Sequence, residues 1–477
     1  MRYFMNPTDF KILALCSGLT LASLPLLPAH AEGAGGRPET PPASSQPGAI
    51  NDDNFTPEFM KAFYEGALKI ADRKIAQVEE ADKQSPPQVP LKPRLATGGG
   101  FSGLFLWDTV FCTLWAKHAP DHFPITTSLD NFYMLQEPDG FICREFQRDG
   151  KPYWSREHPI SFNPPILCWA EWELFESGVT DKARLHTVYP HLKKHHDFCW
   201  KAYRRDDGLF YGDALGGGMD DLPRLPKKPG FSMAGGINIE EKHITADSKG
   251  MWNVVKNNPL YCWNKQMGWI DISSQMAFNA LNLSRIAEIL GNKDDAARYR
   301  AQHAEMAKLI NEKCWDEKLG FYCDYYQGET IPRLHAGAFW ALIAEIVPKE
   351  RVPKIVATLK DPATFNRPVP LPTLAANEPE YNPEHGYWHG SVWPPTTYVA
   401  IRGLMKLGEH DLALDIARRY YNANAQLWRK TGTVFENISP EQCDHPKDRA
   451  GNDFCGWGGL APIALYKELL LPEANKK

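Results

Sequence analysis

Basic runs are missing from this chain: its 53 lysines and arginines are dispersed among 58 aspartates and glutamates. A nucleic-acid surface needs clustered positive charge, so nucleic acid is not an expected partner. No Cys-x-x-Cys spacing occurs among the ten cysteines, which removes the commonest zinc frameworks. A Gly-x-Ser-x-Gly nucleophile elbow and a phosphate-binding loop are also absent. Beyond the N-terminal region no segment is long and apolar enough to span a bilayer. Strand and helix patterns do not alternate, so a parallel sheet is not expected, and no strict repeat recurs. Two local patterns mimic sites. Gly98-Gly99-Gly100-Phe101-Ser102-Gly103 matches a dinucleotide-binding glycine spacing, yet Lys92-Pro93-Arg94 stands where that motif needs an apolar strand. His191 and His195 have an i, i+4 metal-ligand spacing, but among lysines they read as a solvated helix face.

What is there begins with an export signal. Arg2 and Lys11 supply positive charge, residues 12–28 are mostly apolar, and Ala29-His30-Ala31 is a small-x-small cleavage site. Residues 1–31 are therefore expected to be a signal peptide, sending the chain to the periplasm or outside the cell, with no membrane attachment after its removal. Residues 32–50 are rich in Gly, Pro, Ser and Ala and cannot bury a core, so they read as a disordered linker. Without Cys16 nine cysteines remain. Cys314 with Cys323, and Cys443 with Cys455, are close enough in sequence to bridge loops, as export permits.

From residue 51 to 477 the pattern is helical, and one all-α domain is expected. Helices are expected near 59–80, 107–118, 165–177, 186–203, 273–290, 293–314, 336–346, 392–407, 411–427 and 459–471. Met276, Ala280, Leu283, Ala287 and Leu290 recur at spacings of four and three, which is one helix face, and Gly291 then stops it. Segments such as 321–326 read as local hairpins. Long loops rich in Gly, Pro and aromatics separate the helices, and loops on a rigid scaffold carry chemistry.

The most informative loop is Gly216-Gly217-Gly218-Met219-Asp220-Asp221-Leu222-Pro223-Arg224. Glycines allow close backbone approach, and two adjacent carboxylates beside a guanidinium can split their ionisation, one of them keeping the proton that acid catalysis needs. Four further segments add to it. Trp107-Asp108 sets an acid beside a tryptophan at a loop-to-helix boundary. Arg144-Glu145 and Asn163-Pro164-Pro165 offer polar groups on rigid turns. Tyr387-Trp388-His389-Gly390-Ser391-Val392-Trp393 is an aromatic cluster opening a helix, and Phe435-Glu436-Asn437 precedes Gly456-Trp457. Aromatics make up 12% of the chain, with 15 tryptophans, and flat rings pack against the apolar faces of pyranoses. Two acid sites among tryptophans fit a sugar cleft that uses two carboxylates.

Taken in order, these segments resemble the motifs of glycoside hydrolase family 63, whose members include processing α-glucosidases and mannosylglycerate hydrolases. The likeness runs from about residue 94 to 471, through 103–108 with Phe111, 139–145, 163–165, 218–224, 271–274, 387–393, 435–436 and 456–457. It implies an (α/α)6 barrel and inversion at an α-glycosidic bond. It places the general acid on Asp220, with Asp221 as the second choice, and the general base on Glu436. Trp107, Asp108, Arg144, Glu145, Asn163, Asp221, Arg224, Trp388, His389, Trp393 and Trp457 are then the expected sugar contacts. No cofactor or metal is needed for this chemistry. His389 stands where the family has Arg and Thr109 where the processing enzymes have Glu. Only a linker precedes residue 51, in place of their N-terminal β-domain. A small α-glucoside or α-mannoside, of oligosaccharide or glycosyl-glycerate type, is the expected substrate. The rivals are a sugar-binding barrel without catalysis and a toroid performing epimerisation or lysis. The carboxylate pair opposes the first, and the lack of His- or Tyr-centred motifs opposes the second.

Overall fold

A computed structural model describes residues 49–152, 165–212, 216–225, 267–384, 387–442 and 450–474. In chain order its helices are α1 (Pro57–Gln84), α2 (Leu106–Ala116), α3 (Ile125–Met134), α4 (Leu167–Glu176), α5 (Lys182–Ala202), α6 (Ile270–Leu290) and α7 (Lys293–Lys313). After these come α8 (Phe339–Ile343), α9 (Val352–Lys360), α10 (Pro394–Leu407), α11 (His410–Thr431), α12 (Cys455–Gly458), α13 (Leu460–Leu470) and α14 (Leu471–Ala474).

Burial sorts them into two layers. Helix α1 buries Met60, Phe63, Ala67, Ile70, Ala71 and Val78, and α7 buries Ala296, Tyr299, Met306 and Ile310; each is a single stripe. By contrast, every residue of α2 and of α8 is buried, and α6 buries residues on all sides. A helix that is apolar all round belongs in an interior. The inner helices close a ring: α2 packs on α4, α4 on α6, α6 on α8, α8 on α10, α10 on α13, and α13 back on α2. Helices α1, α3, α5, α7 and α11 lie outside it, each against one or two inner helices. This is an (α/α)6 barrel.

Strands are two residues long: β1 (Leu104–Phe105), β2 (Glu145–Phe146), β3 (Met267–Gly268), β4 (Trp315–Asp316), β5 (Phe321–Tyr322), β6 (Tyr325–Tyr326) and β7 (Glu329–Thr330). Every strand pair among the described residues is antiparallel. The expected hairpin at 321–326 divides between two of them, with β5 on β4 and β6 on β7.

Some expectations need correction. Helices α3 and α9 fall outside the expected set. His195 is not on a solvated face: it is 3% exposed, its Nδ1 lies 3.3 Å from the Gly140 carbonyl, and burial pushes its pKa down to about 4. His191 is half-buried and bonds Gln136. Cys314 and Cys323 are both buried free thiols, although the Cys323 amide donates to the Cys314 carbonyl. Cys455 is also a free thiol, and Cys443 lies outside the described residues. The glycine run at 98–103 clasps the chain's own C-terminal loop. Gly98, at φ 92°, has no room for a Cβ beside the Asp453 carbonyl, and the Gly456 amide donates to Thr97.

At the C-terminal ends of the inner helices, a buried ion cluster ties four of them together. Lys117, the C-cap of α2, reaches Glu173 of α4 at 2.6 Å and Glu468 of α13 at 3.0 Å, and Arg402 of α10 reaches the same two acids. Burial alone would raise Glu173, but Arg402 and Lys117 outweigh it and hold the carboxyl below its ordinary range. The opposite ends, where α2, α10 and α12 begin, receive the loops that carry the sequence motifs.

Candidate active site

Register brings the first two motifs together. Leu104 pairs with Phe146 and Phe105 with Glu145, and the Leu106 amide donates to the Arg144 carbonyl at 3.0 Å. This ladder sets Trp107 and Asp108, in the first turn of α2, beside Arg144 and Glu145. A third motif docks on the same indole. Gly218 has φ 75°, and a Cβ there would sit 2.9 Å from the Trp107 ring, so only glycine lets the acidic loop lie so close. Trp107 Nε1 is buried with no hydrogen-bond partner among the described residues, which leaves a donor for a ligand.

Two carboxylates far apart in sequence meet at one phenol. Tyr387 Oη lies 3.5 Å from Asp220 Oδ2 and 3.3 Å from Glu436 Oε1. Those two contacts bound the separation of these oxygens at 6.8 Å, their sum. Glu436 is fixed from behind. Its amide donates to the Gly451 carbonyl at 2.9 Å, the Gly451 amide donates to Oε2 at 3.1 Å, and Trp457 Nε1 donates to the Glu436 carbonyl at 2.8 Å. Bridges between Phe435 and Asn452 and between Val392 and Ile438 align this loop with the aromatic one.

Asp108 joins the same cluster. Burial raises its pKa well above the carboxylate range, and Glu436, Glu145 and Asp220 push it further, so the protonated form is favoured. Arg144 pairs with Glu145 at 3.3 Å, and both remain partly exposed.

The adjacent aspartates have different situations. Asp220 is half-buried. Asp221 is buried, accepts from the Trp388 amide at 2.9 Å and faces His389 Nε2 at 3.9 Å, so it anchors one loop to the other. Four expected sugar contacts, Arg224, Trp388, Trp393 and Trp457, are placed elsewhere. Arg224 has no exposed surface: its guanidinium lies over the Trp269 ring, pairs with Asp271 and meets Asp324 at 3.1 Å. Burial pushes Asp324 up, but Arg224 and His335 outweigh it and hold it at about 2. Arg224 therefore braces the acidic loop from within. Trp388 and Trp393 stack on each other at 3.9 Å and 11°, both about 1% exposed, so each ring is spent on packing. Trp457 likewise serves Glu436. Asn163 lies outside the described residues. The residue that sequence reasoning passed over is Tyr387, visible only as the first member of an aromatic cluster.

Comparison with known proteins agrees with this geometry. The mannosylglycerate hydrolase MGH1-like glycoside hydrolase domain matches residues 103–454. A probable mannosyl-oligosaccharide glucosidase of Schizosaccharomyces pombe is 20% identical over 87% of this chain and 55% of its own length. A periplasmic trehalase of Pseudomonas aeruginosa is 23% identical over 78% of this chain and 68% of its own. The chain spans about half the length of the first curated relatives it matches. Among solved structures, a GH63 mannosylglycerate hydrolase from Thermus thermophilus in complex with glucose superposes with a TM-score of 0.62. That likeness covers 84% of this chain and 99% of the other at 18% identity, and it carries the fold.

Proposed function

Since the chain belongs to the family of the mannosylglycerate hydrolase MGH1-like glycoside hydrolase domain, we propose that it hydrolyses an α-glycosidic bond using Asp220 and Glu436. The observation that carries this reading is the meeting of the two carboxylates at Tyr387 Oη. Asp220, the less buried of the adjacent aspartates, protonates the glycosidic oxygen as it leaves. Glu436 takes a proton from water, which attacks the anomeric carbon from the opposite face and inverts its configuration. A phenol oxygen already seated between the two acids marks space for one water-sized group, as inversion requires. The 6.8 Å bound is a maximum that admits the lower edge of the roughly 6.5–9.5 Å range of inverting pairs and the shorter spacing of retaining ones, so the anomer released decides between them.

Around this pair Trp107 Nε1 and the Asp108 carboxyl, whose protonated form is favoured, donate to sugar hydroxyls, while Arg144, Glu145 and His389 border the cleft. The substrate we assign is a small α-glucoside or α-mannoside, of oligosaccharide or glycosyl-glycerate type, in keeping with the named relatives. The signal-like residues 1–31 and the periplasmic relative support export; no described helix is long and apolar enough to cross a membrane.

Proton NMR of the first turnover on a panel of small α-glucosides and α-mannosides tests the assignment. Release of the β-anomer is the expected result. Initial release of the α-anomer would overturn inversion, and no hydrolysis of any member would favour the non-catalytic sugar-binding barrel.

Asp108 supplies a separate check. Its folded pKa is raised, so its contribution to stability is complete below the ordinary carboxylate range and is lost as pH rises through the folded value. Asp108→Asn cannot ionise. Its melting temperature should therefore gain on the parent, by on the order of a few °C, between pH 4 and pH 8. A gap that stays constant with pH would mean that Asp108 is not held neutral.

A further inference from the structure

We infer that Tyr387 is a positioning residue that decides which of the two carboxyls keeps the catalytic proton. The inference rests on the acid and base assigned above. A phenol has one proton to donate and lone pairs to accept with. Set between two carboxyl groups, its oxygen makes both hydrogen bonds only if one carboxyl carries a proton: the protonated acid donates to the phenol, and the phenol donates to the carboxylate. With both acids ionised, one of the two contacts becomes a clash of lone pairs.

The chain also gives this relay a direction. Glu436 Oε2 already accepts from the Gly451 amide at 3.1 Å, and Tyr387 supplies a donor to Oε1, so both oxygens of Glu436 are placed to accept. Protonation of Glu436 would weaken one of those bonds. These donors favour the charge on Glu436, and the acid–base assignment above then leaves the proton to Asp220. Both contacts are longer than a tight O–H···O bond, as unliganded catalytic hydrogen bonds commonly are. The ring cannot swing freely, because it is 6% exposed and packs edge-on against Trp393 at 4.8 Å.

Other charged groups face the same space. Asp108, in the first turn of α2, has its pKa raised by burial and by Glu436, Glu145 and Asp220. Glu145 of β2 is paired with Arg144, and Asp221, beside Asp220, faces His389. Among the described residues, the phenol touches both carboxylates of the assigned pair.

The test is the pH dependence of kcat/KM for Tyr387→Phe, which keeps the ring and its packing. Loss of the donor to Glu436 moves the acid limb up, and loss of the acceptor for Asp220 moves the alkaline limb down. The bell should narrow by roughly half to one pH unit on each side. A uniform drop with unmoved limbs would mark Tyr387 as merely structural and overturn the inference. Should the Phe variant melt without cooperativity, 3-fluorotyrosine at position 387 keeps the oxygen. As a stronger donor and weaker acceptor it should shift both limbs to lower pH, and unmoved limbs would again refute the relay. Asp220→Asn and Glu436→Gln serve as controls. If they retain parental rates, the acid–base assignment fails and the relay with it; if they are inactive while the limbs stay put, the relay fails alone.

Discussion

Replacing Glu436 by Gln should lower kcat by about 10²–10⁴-fold on every α-glycoside, good leaving group or poor. Water attack is common to all substrates, and Glu436 is the group assigned to remove the proton from that water. The substitution is isosteric, and the amide can still accept at one atom, so the fold should survive. The Gly451 carbonyl and Trp457 Nε1 hold this loop through the Glu436 main chain, which the substitution leaves intact. Steady-state rates on an unactivated α-glycoside and an aryl α-glycoside, measured beside a thermal melt, provide the check. Near-parental rates on either substrate would remove Glu436 from the base role.

Asp220→Asn should behave differently, and the difference separates acid from base. Without a proton donor, hydrolysis of a poor leaving group should fall by about 10²–10⁴-fold. An aryl glycoside whose phenolate leaves unaided should be largely spared. The ratio of the two rates is the quantity to measure. Equal losses on both substrates would point to a binding or structural role for Asp220. In that case Asp221 does not become the natural heir, since its two oxygens face the Trp388 amide and His389.

The outer and inner helices were unequally legible. Helix α6 announced itself by spacing and by Gly291, which caps it at φ 83°. Helices α3 and α9 gave no such signal. Ile-Thr-Thr-Ser-Leu-Asp-Asn-Phe-Tyr-Met is poor in strong helix formers and has no capping side chain. Val-Pro-Lys-Ile-Val-Ala-Thr-Leu-Lys reads as a β-branched strand broken by proline, yet that proline sits in the first helical turn, where it is tolerated. Packing of α3 on α2 and of α9 on β5 overrides weak local preference.

The structure brings together the two acids that the sequence singled out, whereas its rings and its arginine misled. Asp220 and Glu436 stood out because carboxylates in glycine-rich loops have few packing uses. Trp388 and Trp393 did not declare themselves, since a ring that stacks on a sugar and a ring that stacks on its neighbour are the same residue type in sequence. Arg224 failed for a related reason: its carboxylate partners, Asp271 and Asp324, lie 47 and 100 residues further along the chain. Tyr387 escaped notice because its role exists only between two groups 167 and 49 residues away.

Closure of the inner ring has a consequence for how the molecule comes apart and comes together. A row of stacked helical hairpins can fray from either end, because each terminal unit has one neighbour. Here α13 is pressed between α10 and α2, so each inner helix has a neighbour on both sides and no terminal unit exists to peel away. Residues 51–54 are sewn onto α11 as well, through Asn54 Nδ2 to Asn422 and Arg429 Nε to Asn54 Oδ1. Unfolding should therefore be cooperative across the barrel, a single transition rather than a series of steps. Assembly is correspondingly late. Until residues 455–474 are available, α2 and α10 each expose a seam, and Glu436 lacks the Trp457 indole that fixes its backbone. A nascent chain that has not yet emerged past residue 455 therefore keeps its barrel open along that seam.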